Sequence, residues 1–224
     1  MWRRRAIGLA LGTIVGLALL GAGAWIFARQ GVEDLHLRAL QHFDRDAFER
    51  QARILFEQRY PGEKPLNWRI ADTAEYFYEQ QPMGRFVLHK NDCSDFVGCV
   101  IDEALGAGAR FNRDSDEHAL CGEGGREPRA LFEVRRLPVV GAVQPGDIVH
   151  VRHSPWYPPH EDSIGHVGVV GPDGRVIDYS KLKSWSAARY HQVEFEFFIR
   201  HNEPGEVAIG RLRPEFRYRV VEVL

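Results

Sequence analysis

The stretch NDCSDFVGCVIDEALG, Asn91–Gly106, most constrains the fold, because its apolar residues recur at helical spacing among small ones. Asn91 and Asp92 are both good N-cap residues, and Gly106 suits the C′ position. The pattern therefore predicts a buried helix that carries Cys93 in its first turn.

A cysteine in the first turn of a helix has two interpretations. Unpaired backbone N–H groups and the positive end of the helix dipole favour the thiolate there, so Cys93 is a candidate nucleophile. The alternative is a structural cysteine, since free cysteines are among the most buried residues. The helix alone leaves both interpretations open.

Helical patterns precede this stretch and strand patterns follow it. Helices are predicted over Ala47–Tyr60, with Asp44 as the cap, and over Asn67–Gln81. A long loop is expected from Gly106 to Arg129, because this segment is rich in glycine and charge. The predicted strands are Phe132–Val134, Val139–Val140, Asp147–Val151, Gly165–Val170, Arg175–Tyr179, Glu194–Ile199 and Tyr218–Val223. Helices followed by an antiparallel meander indicate an α+β fold.

The N-terminus reads MWRRR and is followed by an uncharged run, Ala6–Ala28. As a helix this run spans roughly 34 Å, enough to cross a bilayer, and the arginines predict a cytoplasmic N-terminus. The alternative is a cleaved signal peptide, since Ala22-Gly23-Ala24 matches a small-x-small cleavage site. We favour a retained anchor, because the run is long and ends in Trp25-Ile26-Phe27, an interfacial pattern.

These patterns divide the 224 residues into three parts. Residues 1–30 form a membrane anchor or signal sequence, 31–66 a helical stalk or linker, and 67–224 the main domain. The formal net charge of −2 gives no case for nucleic acid as a partner. We expect a monomer that contacts the membrane through its N-terminal helix.

The cysteines do not form a disulfide scaffold, because there are only three, Cys93, Cys99 and Cys121, at irregular spacing. With an odd number, at least one thiol stays free or pairs between chains. Cys99 and Cys121 could form a bridge, or Cys99 could be a core residue, and both interpretations stay open.

A histidine and an aspartate lie on neighbouring predicted strands. His166 lies within the apolar strand Gly165–Val170, where an imidazole needs a polar partner. Asp178 lies on the next strand, after the hairpin signal Pro172-Asp173-Gly174.

With a turn centred near Asp173, Val167–Val169 are expected to face Arg175–Ile177, and His166 lies roughly across from Asp178. Side chains opposite each other on one face have Cβ atoms about 5 Å apart. The carboxylate could then hold one ring nitrogen and direct the other toward a thiol. Such an arrangement activates a cysteine nucleophile.

Four segments, in this order, resemble the motifs of one family. DCSDFV resembles its Asp-Cys-Ser-Gly-Leu/Val motif, VQPGDIVHV its Pro-Gly-Asp-Leu strand, and GHVGVV its Gly-His-Val-Gly-Ile motif. VIDYS aligns with the short strand that bears the third polar residue. The family is that of the NlpC-type cell-wall cysteine peptidases, in the wider papain-like clan, and the resemblance covers about Phe86–Ser180.

The resemblance implies a papain-like core, in which a helix carrying Cys93 packs on a sheet carrying His166 and Asp178. In this family the cysteine attacks an amide carbonyl, the histidine moves the proton, and a thioacyl-enzyme is hydrolysed. The usual substrates are peptide bonds in the stem of bacterial peptidoglycan. The backbone N–H of Cys93 would help to hold the oxyanion, and neither a metal nor an organic cofactor is implied.

This interpretation puts the domain on the outer side of a bacterial inner membrane, in the periplasm, held by a single span. If the signal is cleaved, the domain is instead secreted. Candidate substrate-binding residues are Asp92 and Ser94 beside the cysteine, together with Tyr76 and Trp156, which could line a groove.

Two residues depart from the family's pattern. Asp95 stands where glycine is usual, and a carboxylate near the thiol disfavours the thiolate. Asp178 stands where histidine, asparagine or glutamine is commoner, although aspartate can orient an imidazole. The leading interpretation is an envelope-facing cysteine hydrolase. The alternatives are an amidase or an acyl or lipid hydrolase on the same core, and an inactive cell-wall-binding module.

Overall fold

The structure of the protein is a computed structural model. It describes residues 31–33, 35–42, 44–82, 92–106, 131–136, 143–152, 166–180, 189–201 and 206–220. The predicted anchor Ala6–Ala28, the loop from residue 107 to Arg129, the short strand Val139–Val140 and Trp156 lie outside these residues. Within the segments that are described, no helix is both long and apolar enough to cross a membrane.

The described elements form one sheet with helices before and after it. The helices are α1 (residues 31–33 and 35–42), α2 (Arg45–Arg59), α3 (Leu66–Gln80), α4 (Cys93–Leu105), α5 (Phe195–His201) and α6 (Pro214–Arg217). The strands are β1 (Phe132–Arg136), β2 (Ile148–Arg152), β3 (His166–Val170), β4 (Val176–Ser180), β5 (Arg189–Val193) and β6 (Glu206–Leu212). They form a six-stranded antiparallel sheet in the order β1-β6-β2-β3-β4-β5, so the α+β prediction is confirmed.

The chain divides into two compact units, Met1–Leu55 and Phe56–Leu224. In the first unit, Asp44 precedes α2 and its side chain accepts a hydrogen bond from the N–H of Ala47 at 2.9 Å. This bond is a helix N-cap, so the predicted cap of this helix is confirmed. The predicted domain boundary after residue 66 stays a prediction.

The second unit contains the sheet, and an apolar cluster lies on each face of the sheet. Because side chains alternate along a strand, Val167 and Val169 of β3 lie in the cluster formed with α3 and α4. Val170 and Val176 lie in the other cluster, together with Phe198 of α5. The sheet is therefore buried on both faces, which accounts for the burial of every residue of β3 and β4.

The Pro-Gly-Asp segment before β2 has a structural explanation. Gly146 has φ +81°, and a Cβ atom there would lie only 2.1 Å from the carbonyl oxygen of Asn67 in α3. The side-chain amide of Asn67 donates to the carbonyl of Pro145 at 3.1 Å. Asp147 accepts two bonds from the guanidinium of Arg211 in β6, at 3.1 and 2.7 Å, where both side chains are buried. The segment therefore ties β2 to α3 and to β6.

Two of the predicted strands need correction. The segment Glu194–Ile199 is not a strand but the start of α5, since Phe195, Phe198 and Ile199 recur at helical spacing and pack in one cluster. Aromatic and branched residues favour strands locally, but burying this face as a helix outweighs that preference. Of Tyr218–Val223, residues 218–220 form a turn after α6, and the rest lies outside the described residues. β5 and β6 were not predicted.

Candidate active site

The first turn of α4 is fixed by the residue before it. The Asp92 carboxylate accepts bonds from the N–H groups of Ser94 at 3.1 Å and Asp95 at 3.4 Å, and from the Ser94 hydroxyl at 2.7 Å. The N–H of Phe96 donates to the carbonyl of Asp92 at 3.0 Å. Asp92 is therefore the N-cap, as predicted, and Cys93 is the first helical residue. Asp92 and Ser94 serve the cap, and their role in substrate binding stays a prediction.

The β3–β4 hairpin has a register different from the predicted one. Val169 pairs with Ile177, not with Arg175. The N–H of Gly171 donates to the carbonyl of Arg175 at 2.8 Å, so only three residues form the loop, and Gly174 takes the φ of +85° that such a loop requires. The predicted pairing is wrong by two residues, because a loop centred on Asp173 brings Val169 opposite Ile177. A shift of two keeps every side chain on its own face of the sheet.

With this register Asp178 lies opposite Gly168, and His166 is its diagonal neighbour on the same face. A Cβ atom on Gly168 would lie 2.7 Å from Cγ1 of Val176, 2.8 Å from the carbonyl oxygen of Ile177 and 3.4 Å from Cβ of Asp178. Glycine thus leaves the space through which the Asp178 carboxylate reaches His166.

The structure brings the three predicted catalytic residues together. Nε2 of His166 lies 3.4 Å from Oδ1 of Asp178, and both side chains are buried. Cys93, the half-buried first residue of α4, lies close enough to the His166 ring that its thiol raises the pKa of the imidazole. The imidazole thus interacts with both the carboxylate and the thiol.

The charges of this group support one another. Burial by itself lowers the pKa of His166, but the charge and hydrogen bond of Asp178 and the interaction with Cys93 outweigh it and raise the pKa to about 10. Burial acts to raise the pKa of Asp178, but His166 and His191 hold it well below its ordinary range. At neutral pH the pair is therefore an imidazolium next to a carboxylate.

An aromatic ring that sequence reasoning missed covers His166. Phe198 of α5 is buried and stacks on the imidazole, with ring centroids 5.1 Å apart and planes at 26°. The ring shields the imidazole from water and limits its rotation. Recognising α5 by its helical spacing would have indicated that Phe198 faces the sheet, but no local signal connects it with His166.

A second histidine, on β5, was also missed. Nδ1 of His191 lies 3.1 Å from Oδ1 of Asp178, and the hydroxyl of Ser180 donates to the same oxygen at 2.6 Å. The sequence RYHQV, with Tyr190 and Val193, has strand-forming residues that could have indicated β5. The strand signal alone does not give the register of its pairing with β4, which places His191 opposite Asp178.

The remaining predicted residues are Tyr76 and Trp156. Tyr76 is 56% exposed on α3, with its ring beside that of Phe77 at 6.3 Å. Phe77 of α3 contacts the helix of Cys93 through Phe96, with ring centroids 6.1 Å apart. A substrate role for Tyr76 stays a prediction, and Trp156 lies outside the described residues.

Two further predictions concern cysteines and metals. Cys121 lies outside the described residues, so a bridge between Cys99 and Cys121 stays a prediction. Over the part of the chain that is described, no group of three or more His, Cys, Asp or Glu side chains is arranged to hold a metal ion.

Comparison with known proteins gives no relative: no family model, curated protein or solved structure matches this chain. What the protein does must therefore be argued from the site itself.

Proposed function

We propose that this protein is a cysteine hydrolase that cleaves an amide bond through a thioacyl intermediate. Cys93 is the nucleophile and His166 transfers the proton. Asp178 orients the imidazole and keeps it protonated. The observation that carries the proposal is the buried imidazole of His166, which lies 3.4 Å from the Asp178 carboxylate and interacts with the thiol of Cys93.

The contacts suggest how each step proceeds. With the proton held on His166, the sulfur of Cys93 attacks the amide carbonyl carbon, and the carbonyl oxygen becomes an oxyanion. His166 then gives its proton to the leaving nitrogen as the C–N bond breaks, which leaves a thioacyl-enzyme and a free amine. Water attacks the thioester next, giving one proton to His166, and the C–S bond breaks to release the acid and restore the thiolate.

The first turn of α4 offers a donor for the oxyanion. The N–H groups of Ser94 and Asp95 bond to the Asp92 side chain, and that of Phe96 bonds to the Asp92 carbonyl. These cap bonds do not use the N–H of Cys93, which points from the helix N-terminus beside the nucleophile. A backbone donor in this position stabilises the charge that develops in the transition state.

We further propose that the core is papain-like, of the NlpC type, and that the substrate is a stem peptide of peptidoglycan. The four motifs support this proposal, and three of them lie at the positions that the site uses: α4, β3 and β4. The predicted N-terminal span would hold the domain at the outer face of the inner membrane, next to this substrate.

Digestion of purified sacculi by the full-length protein in detergent micelles tests the substrate. We expect new muropeptides in which a stem peptide bond is cut, and no such products with Cys93→Ala or His166→Ala. Unchanged muropeptides would refute the peptidoglycan peptidase. Release of fatty acid from lipid vesicles instead would support an acyl hydrolase on the same core.

Thiol labelling tests the enzyme class without a substrate. We expect iodoacetamide to modify Cys93 faster than Cys99 or Cys121, and His166→Ala to abolish the difference. Equal labelling of the three cysteines in the wild-type protein would contradict an activated nucleophile and favour a binding module.

A further inference from the structure

The Asp178 carboxylate has two polar partners besides the imidazole that it orients. Three contacts converge on its Oδ1: the Ser180 hydroxyl at 2.6 Å, Nδ1 of His191 at 3.1 Å and Nε2 of His166 at 3.4 Å. The two shorter contacts come from residues that the mechanism above does not use. The carboxylate is therefore positioned by Ser180 and His191.

The fold builds the contact with His191. In the β4–β5 pairing, Asp178 lies directly opposite His191, and Ser180 lies opposite Arg189. All four side chains lie on one face of the sheet, because residues two apart on a strand share a face. His191 is the direct cross-strand partner of Asp178, whereas His166 reaches Asp178 along a diagonal.

The protonation of His191 follows from Arg189 on the same strand, since the Ser180 hydroxyl, 3.3 Å from Nδ1, already donates to Asp178. Nε of Arg189 donates to Nε2 of His191 at 3.4 Å, and a guanidinium can only donate. Nε2 must therefore be an acceptor without a hydrogen, so the ring proton of the neutral imidazole is on Nδ1. That nitrogen faces Asp178, and the bond therefore runs from Nδ1–H to the carboxylate.

We propose that His191 is a positioning residue of this site: as the Nδ1–H tautomer fixed by Arg189, it holds the Asp178 carboxylate against His166. The proton-transfer role stays with His166, which interacts with the Cys93 thiol, whereas Nδ1 of His191 faces Asp178. The catalytic consequence rests on the proposed function, whereas the tautomer and its effect on His166 do not.

Two amide substitutions of His191 distinguish the proposed hydrogen bond to Asp178 from a mere effect of side-chain size. His191→Asn keeps an N–H group near the position of Nδ1, within reach of Asp178. His191→Gln carries its amide near the position of Nε2 and leaves Asp178 without this donor. Both variants are neutral and polar, so they form a matched pair.

We expect the NMR titration midpoint of His166 to stay near its wild-type value in His191→Asn and to fall by about one pH unit or more in His191→Gln. Labelling of Cys93 at pH 7.5 is expected to slow about tenfold in His191→Gln alone. Equal behaviour of the two variants, whether both match the wild type or both are impaired, would overturn the proposal.

The wild-type protein gives an independent measurement, which decides the question if a variant fails to fold. Long-range ¹H–¹⁵N correlation spectra of the full-length protein in detergent at pH 7.5 should report a neutral His191 protonated at Nδ1. An Nε2–H tautomer, or a doubly protonated ring, would overturn the proposal. Both NMR measurements need no substrate, so they can succeed even where the muropeptides stay unchanged and the proposed function fails.

Discussion

Asp178→Asn removes the charge that keeps His166 protonated while it preserves the size of the side chain. In the wild-type protein the pKa of His166 is raised from 6.5 to about 10, mostly by this carboxylate acting against burial. Without the charge, burial dominates, and we expect the titration midpoint of His166 to fall toward or below 6.5. A change of roughly 3.5 pH units corresponds to about 5 kcal/mol of interaction.

The same change alters how stability depends on pH. Because folding raises the pKa of His166, its stabilising contribution is complete below pH 6.5 and is lost as the pH rises through about 10. The pKa of Asp178 is lowered, so its contribution is present above about pH 4 and is lost as the pH falls further. The wild-type Tm should therefore fall between pH 6.5 and 10, and that of Asp178→Asn should change much less.

The assay is an NMR titration of His166 combined with the pH dependence of Cys93 alkylation. Asp173→Asn is the control, since Asp173 lies in the turn of the same hairpin, pairs with Arg175 and loses the same charge. This variant should leave the midpoint of His166 near 10. If His166 titrates near 10 in Asp178→Asn as well, the charge of Asp178 does not set the protonation of His166, and the reasoning is refuted.

Three substitutions test the packing that holds the site. Gly146→Ala should cost more free energy of unfolding than Gly62→Ala: both glycines have positive φ, but only at Gly146 does a Cβ meet a backbone oxygen, at 2.1 Å. Equal urea midpoints for these two variants would contradict that explanation. Gly168→Ala should destabilise by about 1–3 kcal/mol and slow Cys93 alkylation, because its Cβ would lie 2.7 Å from Val176. An alkylation rate equal to that of the wild type would show that the space beside Asp178 is not needed. Phe198→Ala should cost about 3–5 kcal/mol in urea unfolding, since it removes a buried ring that stacks on His166. A loss below about 1 kcal/mol would indicate that this ring contributes little packing.

The sequence by itself determined the features that depend on near neighbours in the chain. Capping by Asp92 and the start of α4 at Cys93 involve residues at most a few positions apart. The β3–β4 hairpin follows from the turn chemistry of Pro172-Asp173-Gly174 between two apolar runs. For this reason the helix, the hairpin and the three residues of the candidate site were predictable, and a register error of two residues did not separate His166 from Asp178.

Only the tertiary structure decided the features that depend on contacts across long separations. β6 lies between β1 and β2 in the sheet. This position depends on strand pairing between segments far apart in the chain, and no local pattern encodes it. The aromatic segment of α5 became a helix because its apolar face is buried against the sheet, which overrides strand propensity. Phe198 and His191 therefore came to surround His166 and Asp178 through packing and strand pairing, whereas the turn and the cap were already set by the local chain.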